Sequence, residues 1–451
     1  MEVQGTVHVV TADERPIRVL FVYGDGIGAS MGGVGIRAIE LARVVQDRLG
    51  AEVTVAAAQT DGSDLGVPTA TFSPHAPRAL DPHLSRVDAV VAQPGWPLLM
   101  RRLVRSRAKL IFDLYDPEVF GTLENFSDRP ASLRALMAAY ATDRVCAALR
   151  IGHHVMCASE RQRDLWLGAT LGSGLLSPPV WDRDPALRSV LDVIPYGVPS
   201  VPPSRSGLID VRKRLGLSED DEMVLWNGGL WSWFDAPAAI RAIAQLRRRR
   251  PNATLVFMGA ATAEPAVRAT RQARALALEL GLLGSGVVFN EQWVPYQERA
   301  SWLLAADCAI STHVEHLETR FSSRTRLLDC FWAGLPIVCT RGDELALRVE
   351  REELGAVVPP GDPAAVAAAL ERVLSHGRGA YAPQLAAAAA DHAWPRVAEP
   401  LLSWLAGSAP PVPLGKGRGR ERSAAERLRT GGYLLSAGTL SALSVRAPRL
   451  R

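Results

Sequence analysis

The chain has 451 residues, 48% of them hydrophobic and 22% charged, with a formal net charge of +4. That length supports two domains with full cores. No apolar run is long enough to span a membrane, and the opening "MEVQGTVHVVTADERP" has neither the basic start nor the apolar core of a signal peptide. The five cysteines (Cys146, Cys157, Cys308, Cys330, Cys339) lie in apolar surroundings without C-x-x-C spacing. This excludes a disulfide frame or a zinc site and leads us to expect a cytoplasmic protein. The charge is unevenly placed. From Gly407 to Arg451 one Lys and eight Arg face two Glu, a net of +7, so the remainder is about −3.

In chain order, "IRVLFVY" (17–23) is a strand that stops at Gly24. A Gly-rich loop follows, then a helix ending at Gly50 and the strand "AEVTVAAA". Such β-loop-α-β units build parallel sheets with the loop at the strand's carboxyl end. Further strands are expected at 88–93, 109–116, 153–159 and 191–197, and "PSVPPSRSG" (199–207) reads as a linker. A second series begins with the strand 222–229 and the helix 236–250. It continues through strands at 253–260, 286–294, 308–312, 337–340 and 355–360. The helix "DPAAVAAALERVLSHG" is capped by Asp362 and stopped by Gly377. The expectation is α/β throughout, as two doubly wound, Rossmann-like domains facing across a ligand cleft.

Two stretches carry chemistry. "YGDGIGASMGGVGIR" (23–37) sets glycines between a strand and a helix, where backbone N–H groups can approach phosphate. It is not the dinucleotide fingerprint, and no acid ends the second strand, which argues against a nicotinamide enzyme. "ETRFSSRTRLLDCFWAGLPIVCT" (318–340) leads into an apolar helix running through Trp332, with Ser322 or Ser323 as its cap. Arg324 and Arg326 fall at its start and Arg320 just before it. Cations are unfavourable at that end of the dipole, so they point to an anionic partner such as phosphate. Asp329 stands further along, placed to accept hydrogen bonds from hydroxyls. The bland alternative is an internal ion-pair cluster with Glu315, Glu318 and Asp329. "RRRR" (247–250) ends a helix, where cations suit the dipole, and is no sign of nucleic acid.

"LLDCFWAGLPIVCT", "MGGVGIRAIELARVV", "VIPYGV" and "VVFNEQWVPYQERASWLLAADCAIS" together resemble family-4 retaining glycosyltransferases of the GT-B fold, in matching order from about Ile17 to Leu405. The resemblance implies a nucleotide-sugar donor, retention of configuration and no essential metal or cofactor. It implies that Asp329 meets the ribose, that Gly33 and Gly35 lie near the diphosphate and sugar, and that Ser322 and Ser323 offer backbone amides to the diphosphate. Two positions depart from the family. Its usual first acid falls on Phe321, with Glu318 three residues earlier, and its usual cations after the first strand of the second domain are replaced by "NGGLWSWFDAP", which contains Gly229. Arg320, Arg324 and Arg326 are the substitutes for that charge, in a pattern that resembles a subgroup with "ETRF…RTR…D". Glu318 and Asp113, the latter in "FDLYDP" where relatives place a sugar-facing His, are the catalytic candidates, with Asp116 as the alternative to Asp113.

The function expected is hexosyl transfer from a nucleotide sugar to an acceptor hydroxyl, with a degenerate scaffold or a GT-B epimerase or hydrolase as alternatives. The domains expected are 1–200 for the acceptor, 208–390 for the nucleotide sugar, a closing helix at 391–406 that returns toward the first domain, and a basic tail at 407–451. The tail is a candidate for peripheral contact with anionic lipid.

Overall fold

The computed structural model describes residues 15–231, 233–259 and 266–407; the basic tail expected beyond Gly407 lies outside the described residues. The first sheet contains β1 (Arg18–Ile27), β2 (Glu52–Thr60), β3 (Thr69–Thr71), β4 (Ala89–Ala92), β5 (Lys109–Asp113), β6 (His154–Cys157) and β7 (Leu191–Val193), in the order β3-β2-β1-β4-β5-β6-β7. The second contains β8 (Glu222–Trp226), β9 (Ala253–Phe257), β10 (Val287–Phe289), β11 (Cys308–Ser311), β12 (Ile337–Thr340) and β13 (Gly355–Val358), in the order β10-β9-β8-β11-β12-β13. Every named strand pair is parallel, and the strands are near-continuous apolar runs because helices cover both faces. The order reverses beside β1 and beside β8, and in open parallel sheets ligands bind at the carboxyl ends of strands at such points.

β1 runs past Gly24, where the sequence ends it. Its register shifts between Tyr23 and Gly26, so Gly26 and Ile27 still pair with Gln59 and Thr60. Asp61 then closes the turn, its carboxylate accepting from the N–H of Ala29 at 2.8 Å and of Ser63 at 2.9 Å.

One buried ion pair fixes the inner end of this unit. Arg37, on the helix Gly33–Leu49, donates through Nε to Asp113 Oδ2 at 2.7 Å and through Nη2 to Oδ1 at 3.1 Å. Its remaining N–H groups reach the carbonyls of Ile194 and Pro195 at 2.8 and 2.9 Å. Tyr23 Oη donates to Asp113 at 3.0 Å. Both charged side chains have zero exposure. Asp113 is therefore a structural anchor at the end of β5, and no oxygen of it is left to face a substrate.

The chain then returns to the first domain. The helix Glu399–Ala406 packs on the helix Gly33–Leu49, and Trp404 Nε1 donates to Ser189 O at 2.9 Å. Trp394 lies flat against Gly197, where a β-carbon would come within 2.5 Å of its ring. A side chain at position 197 would meet that ring, so only glycine fits there.

Arg37→Ala would leave Asp113 buried and unpaired, at a cost of about 3–5 kcal/mol. A fall of that size in unfolding free energy, measured in urea, is the expected result.

Candidate functional site

Two glycine turns open onto the cleft. Gly32 and Gly33 are exposed at the start of the helix Gly33–Leu49, with no side chain capping it, so its first N–H groups face outward. A β-carbon on Gly33 would lie 3.8 Å from Tyr115 Oη, whereas one on Gly35 would press Met31 and the Gly26 carbonyl at 3.0 and 3.1 Å. Gly33 thus lines the cleft, and Gly35 permits close packing beneath it. In the second domain the turn after β8 holds Gly228 at φ 139° and Gly229. A β-carbon on Gly259, at the end of β9, would meet the Gly228 backbone at 2.7 Å.

Arg326 reaches this second turn from across the sheet. Its Nη2 donates to Gly229 O at 3.1 Å, and its guanidinium lies 4.1 Å from the Phe234 ring centre and 5.6 Å from that of Trp226. Its Nη1 is buried and has no partner among the described residues. Burial, with the nearby Arg324 charge, lowers its pKa to about 9. The loop after β8 carries no cation of its own, and a guanidinium reaches it from the helix Thr325–Ala333, the same helix that carries Asp329.

The other two arginines are placed differently. Sequence alone groups Arg324 with the phosphate-binding cations; the fold gives its guanidinium to Asp343, at 2.7 and 2.9 Å, and to the Thr340 carbonyl at 2.7 Å. Arg324 is 3% exposed and braces the loops after β12. Arg320 is exposed and lies 5.8 Å from the Phe321 ring centre. The serines do not cap as the sequence implies. The run splits into a helix Leu317–Phe321, capped by His316, and the helix Thr325–Ala333, which starts at Arg324 without a side-chain cap. Ser322 N–H donates to Glu318 O at 2.7 Å, whereas the Ser323 N–H has no partner among the described residues.

Asp329 accepts from Arg299 Nε at 3.2 Å through Oδ1 alone. The Arg299 guanidinium is sandwiched between Tyr296 (3.6 Å) and Trp332 (4.5 Å). Burial raises the Asp329 pKa, against the pull of Arg299. Tyr296 also crosses to the first domain: its N–H donates to Ala29 O at 3.2 Å and its hydroxyl lies 3.5 Å from Glu40 Oε1. Trp231 and Trp233 stack on each other at 5.5 Å, with Trp231 38% exposed.

Glu318 is 6% exposed, and its Oε2 has no partner among the described residues. Burial first, and Asp116 across the cleft second, raise its pKa to about 8, against the weaker pull of Arg324. Asp116 is itself pushed upward by desolvation in the cleft wall and by Glu118 and Asp25, although solvent still reaches it. Of the two aspartates in "FDLYDP", Asp116 faces the second domain. Phe321, which stands where the resemblance places a first acid, stacks on Phe120 at 5.8 Å, while Gln162 Nε2 bridges Tyr115 O and Phe321 O at 2.7 Å each.

Sequence reading misses His313. Its ring is 1% exposed, lies 4.5 Å from that of Phe234, and has no partner on either nitrogen among the described residues. Burial, then Arg324 and Arg326, hold it well below the ordinary histidine range, so it is neutral. Asn227 Oδ1, Ser311 Oγ, His316 Nε2, Glu318 Oε2 and Arg326 Nη1 are likewise buried and unpartnered. Buried polar groups are normally satisfied, so this concentration at the ends of β8 and β11 makes the region a candidate ligand site. The signal available in the sequence is the histidine pair in "STHVEH".

This arrangement has relatives. Residues 222–376, from the first residue of β8 to the end of the helix Pro363–His376, match the family model described as Glycosyl transferases group 1. Among solved structures, WaaG, a glycosyltransferase involved in lipopolysaccharide biosynthesis, is 18% identical with a TM-score of 0.59, over 86% of this chain and 100% of its own. Anabaena Alr3699/HepE, in complex with UDP and glucose, is 17% identical with a TM-score of 0.61, over 86% and 99%. Sucrose-phosphate synthase from Thermosynechococcus elongatus is 17% identical with a TM-score of 0.53, over 96% and 100%. The fold is GT-B. A search of curated proteins gives no match.

Two results follow from this geometry. Arg324→Ala should lower the thermal midpoint, because it strands the buried Asp343, whereas Arg326→Ala removes a guanidinium that pairs with no acid among the described residues and should lower it less. Glu318, shifted from its ordinary 4.5 to about 8, keeps a proton in the folded state that the unfolded chain has lost. Its stabilising contribution is therefore complete below pH 4.5 and declines as pH rises through about 8. Urea titrations should show stability falling across that window, by at most about 1.4 kcal/mol per pH unit, and Glu318→Gln should flatten the slope.

Proposed function

We infer that this protein is a glycosyltransferase that moves a sugar, with retention of configuration, from a nucleotide diphosphate donor to an acceptor hydroxyl. What carries the reading is the buried, unpartnered Arg326 Nη1 over the Gly228–Gly229 turn, on the helix that also presents Asp329. A cation without a counter-charge there suits a diphosphate, and a carboxylate with a free oxygen on the same helix suits ribose hydroxyls. The match of residues 222–376 to a glycosyl transferase model, and GT-B neighbours crystallised with UDP or UDP-glucose, support it.

In this reading the second domain holds the nucleotide. Arg326 and the free N–H of Ser323 stabilise charge on the leaving diphosphate, in a site where Phe120 and Phe321 help to keep water out. Gly33 leaves room for the sugar under the first helix. Glu318, protonated near neutrality, donates a hydrogen bond toward the sugar, while Asp116 accepts one from it or from the acceptor. The leaving phosphate takes the acceptor's proton, so no protein nucleophile is needed. In this reading guanidinium, and no metal ion, offsets the charge on the leaving diphosphate.

Calorimetry tests the nucleotide assignment. UDP should bind, 2′,3′-dideoxy-UDP should bind more weakly, and Asp329→Ala should erase the difference. Equal affinity for both nucleotides in the wild type would remove Asp329 from the ribose site. UDP release from UDP-sugars only in the presence of acceptor, and unaffected by EDTA, separates transfer from hydrolysis and from a scaffold that releases none.

A further inference from the structure

Arg326 stands in a place that works against its charge. Burial and the neighbouring Arg324 both disfavour the cationic form. No carboxylate pairs with it among the described residues: Nη2 meets the Gly229 carbonyl, and Nη1 has no partner there. The group that does stand against it is the face of Phe234, whose ring centre lies 4.1 Å from the guanidinium carbon. An aromatic face carries partial negative charge, and it attracts a guanidinium most strongly where water is excluded.

Phe234 is itself fixed. The loop after β8 is zipped to the loop after β11. Phe234 forms an antiparallel bridge with His313, and Val314 N–H donates to Trp233 O at 3.2 Å. Asp235 N–H donates to Thr312 O at 2.9 Å, and the Thr312 hydroxyl returns a bond to Asp235 O at 2.6 Å. Around the ring, Trp226 and Trp233 meet it edge-on at 61° and 76°, each 5.8 Å between centres. His313 packs on it at 4.5 Å and, being neutral, adds no second cation. Asn227 Nδ2 donates to Arg326 O at 2.7 Å, which ties the backbone of the arginine to the same loop. Asp235, the acid next to Phe234 in the chain, is turned away: its carboxylate caps the helix Ala236–Leu246 by accepting from Ala238 N–H at 3.0 Å.

We propose, resting on the nucleotide-sugar reading of the cleft, that Phe234 is a positioning residue for the diphosphate: its ring face holds the Arg326 guanidinium beside the Gly228–Gly229 turn and leaves the formal charge free for the ligand. A carboxylate in that place would also hold the guanidinium, but it would cancel the charge and repel phosphate. A ring quadrupole holds a cation without neutralising it. The rigid loop then keeps the guanidinium in one orientation before the ligand arrives, which is the preorganisation that a leaving diphosphate requires.

Calorimetry on the full chain with UDP and with uridine tests this. The wild type should bind UDP more tightly than uridine, and Arg326→Ala should reduce that preference. Replacement of Phe234 by mono-, di- and trifluorophenylalanine withdraws charge from the ring face at nearly constant shape. UDP affinity should fall stepwise along the series, severalfold in total, with uridine affinity and thermal midpoint unchanged. Phe234→Leu should lose at least as much UDP affinity. Constant UDP affinity along the fluorinated series, with Arg326→Ala still weakening UDP, would make Phe234 a packing residue and overturn the proposal while leaving the reading of the cleft intact. Parallel loss of UDP and uridine would set the ring against the nucleoside and overturn it in the same way. An Arg326→Ala variant that binds UDP as tightly as the wild type, or a wild type with no preference for UDP over uridine, would remove the cation from the diphosphate and overturn both.

Discussion

The buried pair of Arg37 and Asp113 is the constraint on which the first domain's half of the cleft depends. Two charges removed from water are costly unless every hydrogen-bonding position is filled. Here they are filled by each other, by Tyr23 and by the carbonyls of Ile194 and Pro195. The pair therefore holds four pieces in one geometry: the first helix, β1 at Tyr23 where its register shifts, the end of β5 and the run from β7 into the linker. The turn that exposes Gly33 and the turn that presents Asp116 both leave from this knot. The second domain repeats the device with Arg324 and Asp343, which tie the helix Thr325–Ala333 to the loop after β12.

Against those satisfied pairs, the unsatisfied groups stand out. Among the described residues, Arg326, His313, Glu318 and Asn227 carry buried atoms without partners, all near the carboxyl ends of β8 and β11. The arrangement destabilises the free protein, and such local cost collects at binding sites. The domain contacts surround the same place. Gln162 bridges Tyr115 and Phe321, Arg161 reaches Gly342 O at 2.7 Å, and Tyr296 reaches Ala29. Asp329 is linked through Arg299 to Tyr296 and so to the first domain, which couples the carboxylate assigned to the nucleoside to the relation between domains.

Much of the fold was legible because its signals are local. Apolar strands ending at glycine, helices stopped by Gly50 and Gly377, the Pro-rich linker and the Gly-Leu-Pro turn each follow from short-range periodicity or turn chemistry. β3, only three residues long, and the helix Pro97–Arg105 were not read, the first for want of length and the second because its exposed leucine and valine blur its periodicity. The extension of β1 past Gly24 was hidden because glycines read as a turn, whereas pairing with Gln59 and Thr60 keeps them in the strand.

The sequence by itself determined two parallel α/β units, their glycine turns, and a cluster of arginines and acids beside one helix start. It could not determine which of those charges are free. Arg324 and Arg326 are two residues apart and look alike in the chain; among the described residues the guanidinium of the first meets Asp343 and that of the second meets aromatic rings and a carbonyl. Asp113 and Asp116 differ in the same way, because Arg37 lies 76 residues from the first and is bonded to it. A charge's role is set by its desolvation and by the partner that fills its hydrogen bonds. Both depend on contacts between distant segments, so only the tertiary structure decided them.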